Sequence, residues 1–256
     1  MVILDLHLNV GATEWSRVRE SASAAEEAGA STIWVADHLA SYSVGGHPAP
    51  ECFAALAALA AETSTIGLGS LVANAVLRPA ALLANAAATV QRVSGGRFVL
   101  GVGAGASPTS PWARELVAAG IELRPSLAER HEHLATVVAD VRRAWRGEGR
   151  FGGFEAAEPH PPIVVGVNSV ELVRVAARCR ASGVNVREDH PRADEILGEA
   201  VRSGLEASVW AFDGDDLFDP GSSRRERLAS LGVGRVVVML RGAPDPDRIA
   251  RLFLRA

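Results

Sequence analysis

Short apolar runs alternate with helical segments along the chain, and this alternation restricts the possible folds more than any other feature. Eight apolar runs predict strands at 2–8, 31–36, 65–72, 97–103, 163–167, 184–187, 205–212 and 235–240. Helices are predicted at 14–28, 50–63, 79–93, 126–146, 170–181, 192–203, 222–231 and 245–254. Strands that alternate with helices form a parallel sheet. Eight such units in 256 residues predict a (β/α)8 TIM barrel, a compact variant with short loops, and an open doubly wound sheet is the alternative.

Length and composition narrow the class of protein. The 48% hydrophobic content over residues 1–256 is enough for a single α/β domain. The net charge of −4 and the lack of a long basic run predict no nucleic-acid partner. No apolar run has membrane-spanning length, and Asp5 and His7 interrupt the first one, which favours a strand over a signal peptide. Cys52 and Cys179 stand alone, which favours reduced thiols and a cytoplasmic protein.

The stretch 97–107, R-F-V-L-G-V-G-A-G-A-S, predicts where a ligand binds. Gly101 and Gly103 are two residues apart and therefore point to the same side of a strand. Glycine within a strand often marks the close approach of a ligand, with tight backbone packing as the alternative. The segment also fits G-x-G-x-x-A, a dinucleotide-binding variant, but Pro108 and Pro111 argue against the helix that this fingerprint requires. We expect a strand that opens into a ligand pocket.

Function in a TIM barrel lies at the carboxyl ends of the strands. The polar residues predicted at these ends are His7, Asn9, Asp37, His38, Ser70, Asn74, Asn168, Ser169, Arg187, Glu188 and Asp213, together with the loop 103–107. His38 is the best catalytic candidate, because an imidazole can bond a substrate or stabilise a developing oxyanion near neutral pH. The alternative is a capping or buried histidine bonded to a neighbouring loop. Asp37 is expected to hold loop geometry.

A candidate anion site lies where the fifth strand ends and the next helix begins. Free amides at a helix start suit a phosphate, and the side chains of Asn168 and Ser169 after Gly166 would add donors. A simple N-cap role is the alternative. For Arg78 the sequence leaves open a second anion contact or a solvated surface charge. The H-E-H at 131–133 lacks the histidine spacing of a helical zinc site, so no metal is predicted.

Three segments carry a resemblance to a known family. They are A-E-E-A-G-A-S-T-I-W-V-A-D-H at 25–38, the elements T-S-T-I-G-L-G-S, R-P-A and V-S-G-G-R-F-V-L-G-V-G-A-G between 54 and 105, and P-P-I-V-V-G-V-N-S at 161–169. In this order and spacing the chain resembles the luciferase-like monooxygenase superfamily, the bacterial-luciferase type of flavin or deazaflavin barrel. The family fold is a (β/α)8 barrel, which agrees with the strand count made independently.

This resemblance implies an oxidoreductase or monooxygenase that uses the deazaflavin coenzyme F420 or FMN for hydride transfer or oxygen insertion on a small organic substrate. His38 matches the family's active-site histidine. The cofactor-binding residues implied at the barrel mouth are Gly69, Ser70, Asn74, Gly103, Gly105, Gly166, Asn168 and Ser169. The motif Asp37-His38 resembles deazaflavin members, so F420 is slightly preferred over FMN. Family members commonly pair through two helices, which predicts a homodimer through the alanine-rich segments 53–61 and 80–88.

The sequence departs from the family at two positions near the expected active site. Several deazaflavin members have a Trp four residues after the histidine and a Glu directly after the glycines of strand four. This chain has Tyr42 and Ala106 there. Its loops are also short, so much of the usual lid over the substrate is expected to be absent. A non-catalytic or degenerate flavin-binding barrel is therefore the alternative function.

Overall fold

The computed structural model describes residues 2–44, 46 and 48–255, so that Met1 and Ala256, the ends of the predicted domain, lie outside the described residues. The strands are β1 Ile3–His7, β2 Thr32–Val35, β3 Gly67–Ser70, β4 Ala73–Asn74, β5 Phe98–Gly103, β6 Ile163–Gly166, β7 Gly183–Arg187, β8 Glu206–Phe212 and β9 Val233–Met239. The helices are α1 Trp15–Glu27, α2 Ser41–Val44, α3 Cys52–Glu62, α4 Ala80–Val93, α5 Ala113–Ala118, α6 Leu127–Trp145, α7 Val170–Arg178, α8 Ala193–Arg202, α9 Ser223–Ser230 and α10 Pro246–Phe253.

The strands form a closed parallel barrel. Their order is β3-β2-β1-β9-β8-β7-β6-β5-β4, and β3 also pairs with β5, with Leu68 opposite Phe98. This pairing joins the two edges of the sheet and excludes the open alternative. The two-residue strand β4 follows β3 and pairs with the end of β5, so β3 and β4 together occupy one of eight positions around the barrel. The predicted (β/α)8 TIM barrel is confirmed.

Each strand presents one face to the helices and the other to the barrel interior. On β1, Leu4 and Leu6 pack in the main hydrophobic core between strands and helices, while the intervening Asp5 points to the opposite face. The interior holds a separate apolar cluster of Trp34, Leu71 and Val237, with Val72, Val99, Trp210 and Met239 packed against it. The barrel is therefore filled in the middle, and an open cavity can exist only towards its ends.

A buried ion pair lies in the barrel interior towards the amino ends of the strands. Nη1 of Arg235 donates to both carboxylate oxygens of Asp5, at 2.6 and 2.8 Å. The indole Nε1 of Trp34 donates to the same carboxylate at 2.8 Å. Asp5 is fully buried, and these three hydrogen bonds give its charge the partners that a buried carboxylate needs. This network ties β1, β2 and β9 together.

Two helices were not expected from the sequence, and both lie beside the site. The short helix α2 follows His38, and α5 lies between the glycine loop after β5 and the long helix α6. Helix α1 also begins one residue later than expected, with Glu14 rather than Thr13 at its N-cap position. The remaining predicted helices and strands are present, with ends that differ by a few residues.

Candidate functional site

A cavity of about 770 Å³ opens at the carboxyl ends of the strands. The predicted site residues that line it are His38, Asn74, Gly103, Gly105, Gly166 and Asn168. Three other predicted residues are not among its lining residues: Gly69, Ser70 and Ser169. The volume is within the range of small-molecule sites, and the location is where TIM barrels bind their ligands.

The side chain of His38 is held by an acidic residue from a distant part of the chain. Nδ1 of His38 lies 2.6 Å from Oε1 of Glu115, on helix α5. The other carboxylate oxygen of Glu115 accepts hydrogen bonds from the backbone amides of Leu39 and Ala40, at 3.0 and 3.1 Å, and from Oγ of Ser43 at 3.1 Å. Glu115 thus fixes both the imidazole and the backbone that follows it.

The charge of Glu115 follows from these bonds. Burial by itself raises the pKa of this carboxyl, but the hydrogen bonds from His38, Leu39 and Ala40 outweigh burial and hold the pKa below its ordinary value. Glu115 is therefore an ionised acceptor at neutral pH. Because Nδ1 of His38 is engaged by this carboxylate, Nε2 is the ring nitrogen left for a bound molecule in the cavity. The ring also lies against the indole of Trp112, with ring centroids 5.0 Å apart.

Asp37, in the loop after β2 that carries His38, forms an ion pair with Arg78. The guanidinium of Arg78 donates to both carboxylate oxygens of Asp37, at 2.7 and 2.8 Å, and also bonds Glu51. Asp37 additionally accepts from the backbone amide of Asn74 at 2.9 Å. Arg78 is thus neither a solvated surface charge nor a free anion contact, which corrects both alternatives. Asp37 holds loop geometry, as expected from the sequence.

Side chains from neighbouring strands lie close against the glycines of the strands. An added Cβ at Gly69 would meet the Trp34 ring at 2.5 Å. At Gly103 it would meet Cγ2 of Val72 at 2.6 Å, and at Gly166 it would meet Cγ1 of Val72 at 3.0 Å. The side chain of Val72 therefore occupies the space beside two of these glycines, and it lines the cavity itself. These glycines therefore allow close packing of the Trp34 and Val72 side chains against the strands.

At the predicted anion site, the two side chains differ in their surroundings. Oγ of Ser169 caps helix α7 by accepting from the amide of Leu172 at 3.2 Å, which is the N-cap alternative. Asn168 is exposed and lines the cavity. Across from the start of α7, Arg130 and His131 of helix α6 also line the cavity, and neither was expected to do so. The cavity lining thus includes the start of α7 and the cationic Arg130, whose Nη1 also donates to the carbonyls of Arg124 and Pro125, and both features favour an anion.

Ser70 lies outside the cavity lining and joins two strands. The hydroxyl of Ser70 is fully buried and donates to the carbonyl of Gly101 at 2.8 Å, so it serves the packing of β3 on β5.

His7, at the end of β1, lines the floor of the cavity. Burial, reinforced by the nearby charge of His38, lowers the pKa of His7 to about 4. His7 is therefore neutral at pH 7.

The described part of the chain contains neither a candidate metal cluster nor a candidate membrane span. Among residues 2–44, 46 and 48–255, no group of three or more His, Cys, Asp or Glu side chains is arranged to hold a metal ion. Over the same part of the chain, no helix has the length and apolar character needed to cross a membrane.

The sequence profile of the luciferase-like monooxygenase family matches residues 3–215. The chain belongs to this family. A 5,10-methylenetetrahydromethanopterin reductase of Archaeoglobus fulgidus is 27% identical over 88% of this chain and 66% of its own length. An F420-dependent glucose-6-phosphate dehydrogenase of Amycolatopsis mediterranei is 32% identical over 74% of this chain and 59% of its own length. This luciferase-like chain thus spans roughly three fifths to two thirds of the curated relatives it matches.

A solved structure extends the likeness to the fold of the whole chain. An F420-dependent secondary alcohol dehydrogenase, in complex with an F420-acetone adduct, superimposes with a TM-score of 0.76. The match covers 99% of this chain and 97% of that one, at 14% identity. At this identity the likeness shows the fold alone.

This luciferase-like chain provides a Trp and a Glu beside its histidine from an unexpected segment. Tyr42 is half exposed and lies under the guanidinium of Arg114, at 4.4 Å from the ring centroid. Trp112 and Glu115 contact His38 instead, and both come from the segment around α5. Neither residue was predicted from the sequence, because no known motif marks this segment. The available signal was a short amphipathic W-x-x-E directly after the loop of the glycine strand.

Proposed function

We propose that this chain is an oxidoreductase that uses coenzyme F420, or alternatively FMN, for hydride transfer or oxygen insertion on a small organic substrate. Membership of the luciferase-like family and the F420-dependent relatives support this class. The observation that carries the proposal is His38, an imidazole oriented by the buried carboxylate of Glu115 at the cavity of a TIM barrel. The preference for F420 rests on the relatives whose names include that cofactor.

The residues present fit such a cofactor. The cavity of about 770 Å³ can take a flat ring over the side chain of Val72, while Asn168 and the start of helix α7 offer donors to a phosphate. We propose that Asn74, Gly103, Gly105, Gly166 and Asn168 contact the cofactor, because each lines the cavity. Ser169 would contribute its backbone amide, and Gly69 and Ser70 would support the contact from behind. When bound, the cofactor supplies the hydride chemistry.

His38 would donate and accept the proton that accompanies this chemistry. Its Nδ1 lies 2.6 Å from the ionised carboxylate of Glu115, which fixes the ring and leaves Nε2 for a bound molecule. The protonated ring can donate from Nε2 to a substrate oxygen that gains negative charge, and the neutral ring can take the proton back in the reverse direction. Both oxygens of Glu115 are committed to His38 and the following loop, so Glu115 orients the histidine and does not itself reach the substrate.

The alternative of a degenerate, non-catalytic barrel rested on Ala106 and on the short lid. Against the first reason, His38 has a carboxylate partner, Glu115, although Ala106 is not acidic. The loop after His38 and helix α5 are also joined through Glu115, which accepts from the amides of Leu39 and Ala40 and from the hydroxyl of Ser43. These contacts favour a working site over a degenerate one.

His38→Ala tests the proposal with reduced F420, reduced FMN and a set of carbonyl acceptors. We expect turnover to fall by about 10²–10³, or roughly 2.7–4 kcal/mol, while cofactor affinity changes little. His160→Ala is a matched control, because His160 packs on Trp145 away from the cavity. If affinity for the cofactor collapses while turnover per bound cofactor stays the same, His38 is a binding residue and the proposed proton role is wrong.

The proposed phosphate site at the start of helix α7 can be tested separately. Asp can replace Ser as a helix N-cap, so Ser169→Asp keeps the start of α7 while placing a negative charge beside the proposed phosphate. We expect binding of the cofactor to weaken at least tenfold, since the charge opposes an interaction worth about 1.5–3 kcal/mol. Ser169→Asn, a neutral cap, is the control and should bind normally. Equal affinity in both variants would remove the assignment.

We also propose a homodimer formed through helices α3 and α4. The outer side of α3 carries Ala54, Ala57 and Ala58, and Leu82 on α4 is 57% exposed. A helix that is apolar on its outer side as well as its inner side is typical of a buried interface. Light scattering should give twice the chain mass, and Leu82→Glu should give a monomer. A wild-type monomer at working concentration would contradict the dimer.

Two further predictions concern the chain as a whole. We propose that residues 1–256 form one domain, which is supported by a single sheet that contains strands from Ile3 to Met239. We propose a cytoplasmic location, which is supported by Cys52 and Cys179, both free thiols in the structure.

A further inference from the structure

Two buried polar atoms of the cavity have no hydrogen-bond partner. Among the described residues that line the cavity, they are Nε2 of His7 and Nε2 of His131. A buried nitrogen without a partner is costly, and native structures keep few of them. His131 is on the cavity wall, where the family fold already leads us to expect an anion. His7 lies at the floor, where nothing described so far requires a polar group.

The backbone geometry places His7 inside the barrel beneath the cavity. It is the last residue of β1, and it pairs with Trp34 of β2 on one side and with Met239 of β9 on the other. The floor around it is otherwise largely apolar, with Trp210, Met239 and Leu71 among the lining residues. On such a surface one polar atom decides how a bound molecule is oriented.

The protonation of His7 determines what that atom can do. The backbone carbonyl of His7 acts on its own ring and favours a proton on the ring nitrogen nearest to it, and since Nε2 has no partner, that nitrogen is Nδ1. A neutral imidazole carries one ring proton, and here that proton is on Nδ1. Nε2 is then left with a lone pair, so it accepts a hydrogen bond and does not donate one.

We propose that Nε2 of His7 accepts a hydrogen bond from a donor group of the molecule bound in the cavity. The donor is either a hydroxyl of the substrate or the imide N–H of a flavin-type ring. The two sources share the chemistry of a neutral donor that reaches the floor of the cavity. The second source rests on the proposed function, while the first does not. His7 is thus a binding residue distinct from His38, and both line the same cavity.

The test uses the full chain labelled with ¹⁵N-histidine and observes the ring nitrogens of His7 by long-range ¹H–¹⁵N correlation. The probes are oxidised F420, FMN and 2-propanol, each added alone and then 2-propanol together with the cofactor that binds. A ring donor shifts the Nε2 signal with the cofactor alone, and a substrate hydroxyl shifts it only with the alcohol. His160, outside the cavity, is assigned in the same spectra and should not move with any probe.

Affinities of His7→Phe give the second readout. The variant keeps an aromatic ring of similar size but removes the acceptor. We expect the probe that shifts Nε2 to bind about tenfold more weakly, with the other probe unaffected. His7→Gln keeps a side-chain oxygen as an acceptor and should recover part of that loss.

Two results would overturn the inference, and they are separable from failure of the proposed function. If F420 or FMN binds the wild type but no probe shifts Nε2 and His7→Phe binds every probe within twofold, His7 bonds only a water. If neither cofactor binds the wild type, the proposed function fails, and the response of Nε2 to 2-propanol alone then decides the inference. A lack of response in that arm contradicts it.

Discussion

The two ends of the barrel interior treat buried polar groups in opposite ways. Towards the amino ends, the Asp5 carboxylate has three hydrogen bonds from Arg235 and Trp34 and is fully buried. Towards the carboxyl ends, Nε2 of His7 is buried and has no partner in the described structure. Asp5 and His7 are only two residues apart on β1. The same strand therefore supplies a satisfied polar group to one end and an unsatisfied one to the other.

This difference between the two ends distinguishes residues that stabilise the fold from residues that are available to bind a ligand. A satisfied buried network stabilises the specific pairing of strands, and its groups have no capacity left for a ligand. An unsatisfied group costs stability in the free protein and regains it when a ligand supplies the missing partner. TIM barrels divide these roles between their two ends in general. Four predictions test the division in this chain, ordered by the size of the expected effect.

Asp5→Ala should be the most damaging change. It leaves Arg235, whose side chain is only 22% exposed, without its main partner, and it removes the acceptor of Trp34. We expect the free energy of unfolding to fall by about 3–5 kcal/mol in urea titrations. The double variant Asp5→Ala/Arg235→Met removes the unpaired charge and should recover part of the loss. A loss under about 1 kcal/mol would show that this end of the barrel is not the stabilising one.

His7→Phe should change the dependence of stability on pH. The pKa of His7 is about 4 in the folded chain against 6.5 for an ordinary histidine, so between these values the unfolded chain binds a proton that the folded chain excludes. Stability therefore falls as pH drops from 6.5 to 4, by about 3 kcal/mol from this residue. The difference between wild type and variant isolates this contribution, because other titrating groups are common to both. A difference that stays constant over this range would contradict it.

Gly103→Ala should destabilise the cavity floor by about 1–3 kcal/mol. The new methyl would lie 2.6 Å from Cγ2 of Val72, so the valine must move. Val72→Ala in the same chain makes room, and the double variant should lose less than the sum of the single ones. Thermal and urea unfolding of the four proteins measure this coupling. Strict additivity would mean that Val72 is not what fills this space.

Glu115→Gln should have the smallest effect on stability and a clear effect on the site. Gln keeps an oxygen acceptor but loses the negative charge that faces His38. We expect the free energy of unfolding at pH 7 to fall by about 1.5 kcal/mol. Because the pKa of Glu115 is depressed in the folded chain, its stabilising effect is present above the ordinary value of 4.5 and is lost as pH falls below it. The difference from wild type should therefore shrink in acid. Glu122→Gln, on an exposed loop, is the control.

The sequence alone was sufficient for the fold and for the family. Eight apolar runs separated by amphipathic helices allow few arrangements other than a parallel barrel, because each pattern is local and repeats along the chain. The position of His38 after β2 and of Asn168 after β6 followed from the same count, since strand ends in a barrel meet at one rim. These predictions required only residue order and spacing.

The tertiary structure alone decided which groups meet across that rim. His38 and Glu115 are far apart in sequence, and no periodic pattern links them, so the carboxylate beside His38 could not be read from spacing. The same holds for Val72, whose side chain fills the space beside Gly103 and Gly166, and for the missing partner of His7. Spacing along a strand gives the direction of a side chain. Which side chains it contacts, and whether its polar atoms find hydrogen-bond partners, depends on distances between strands and loops that are remote in sequence. Those distances are set only when the barrel closes through β3 and β5.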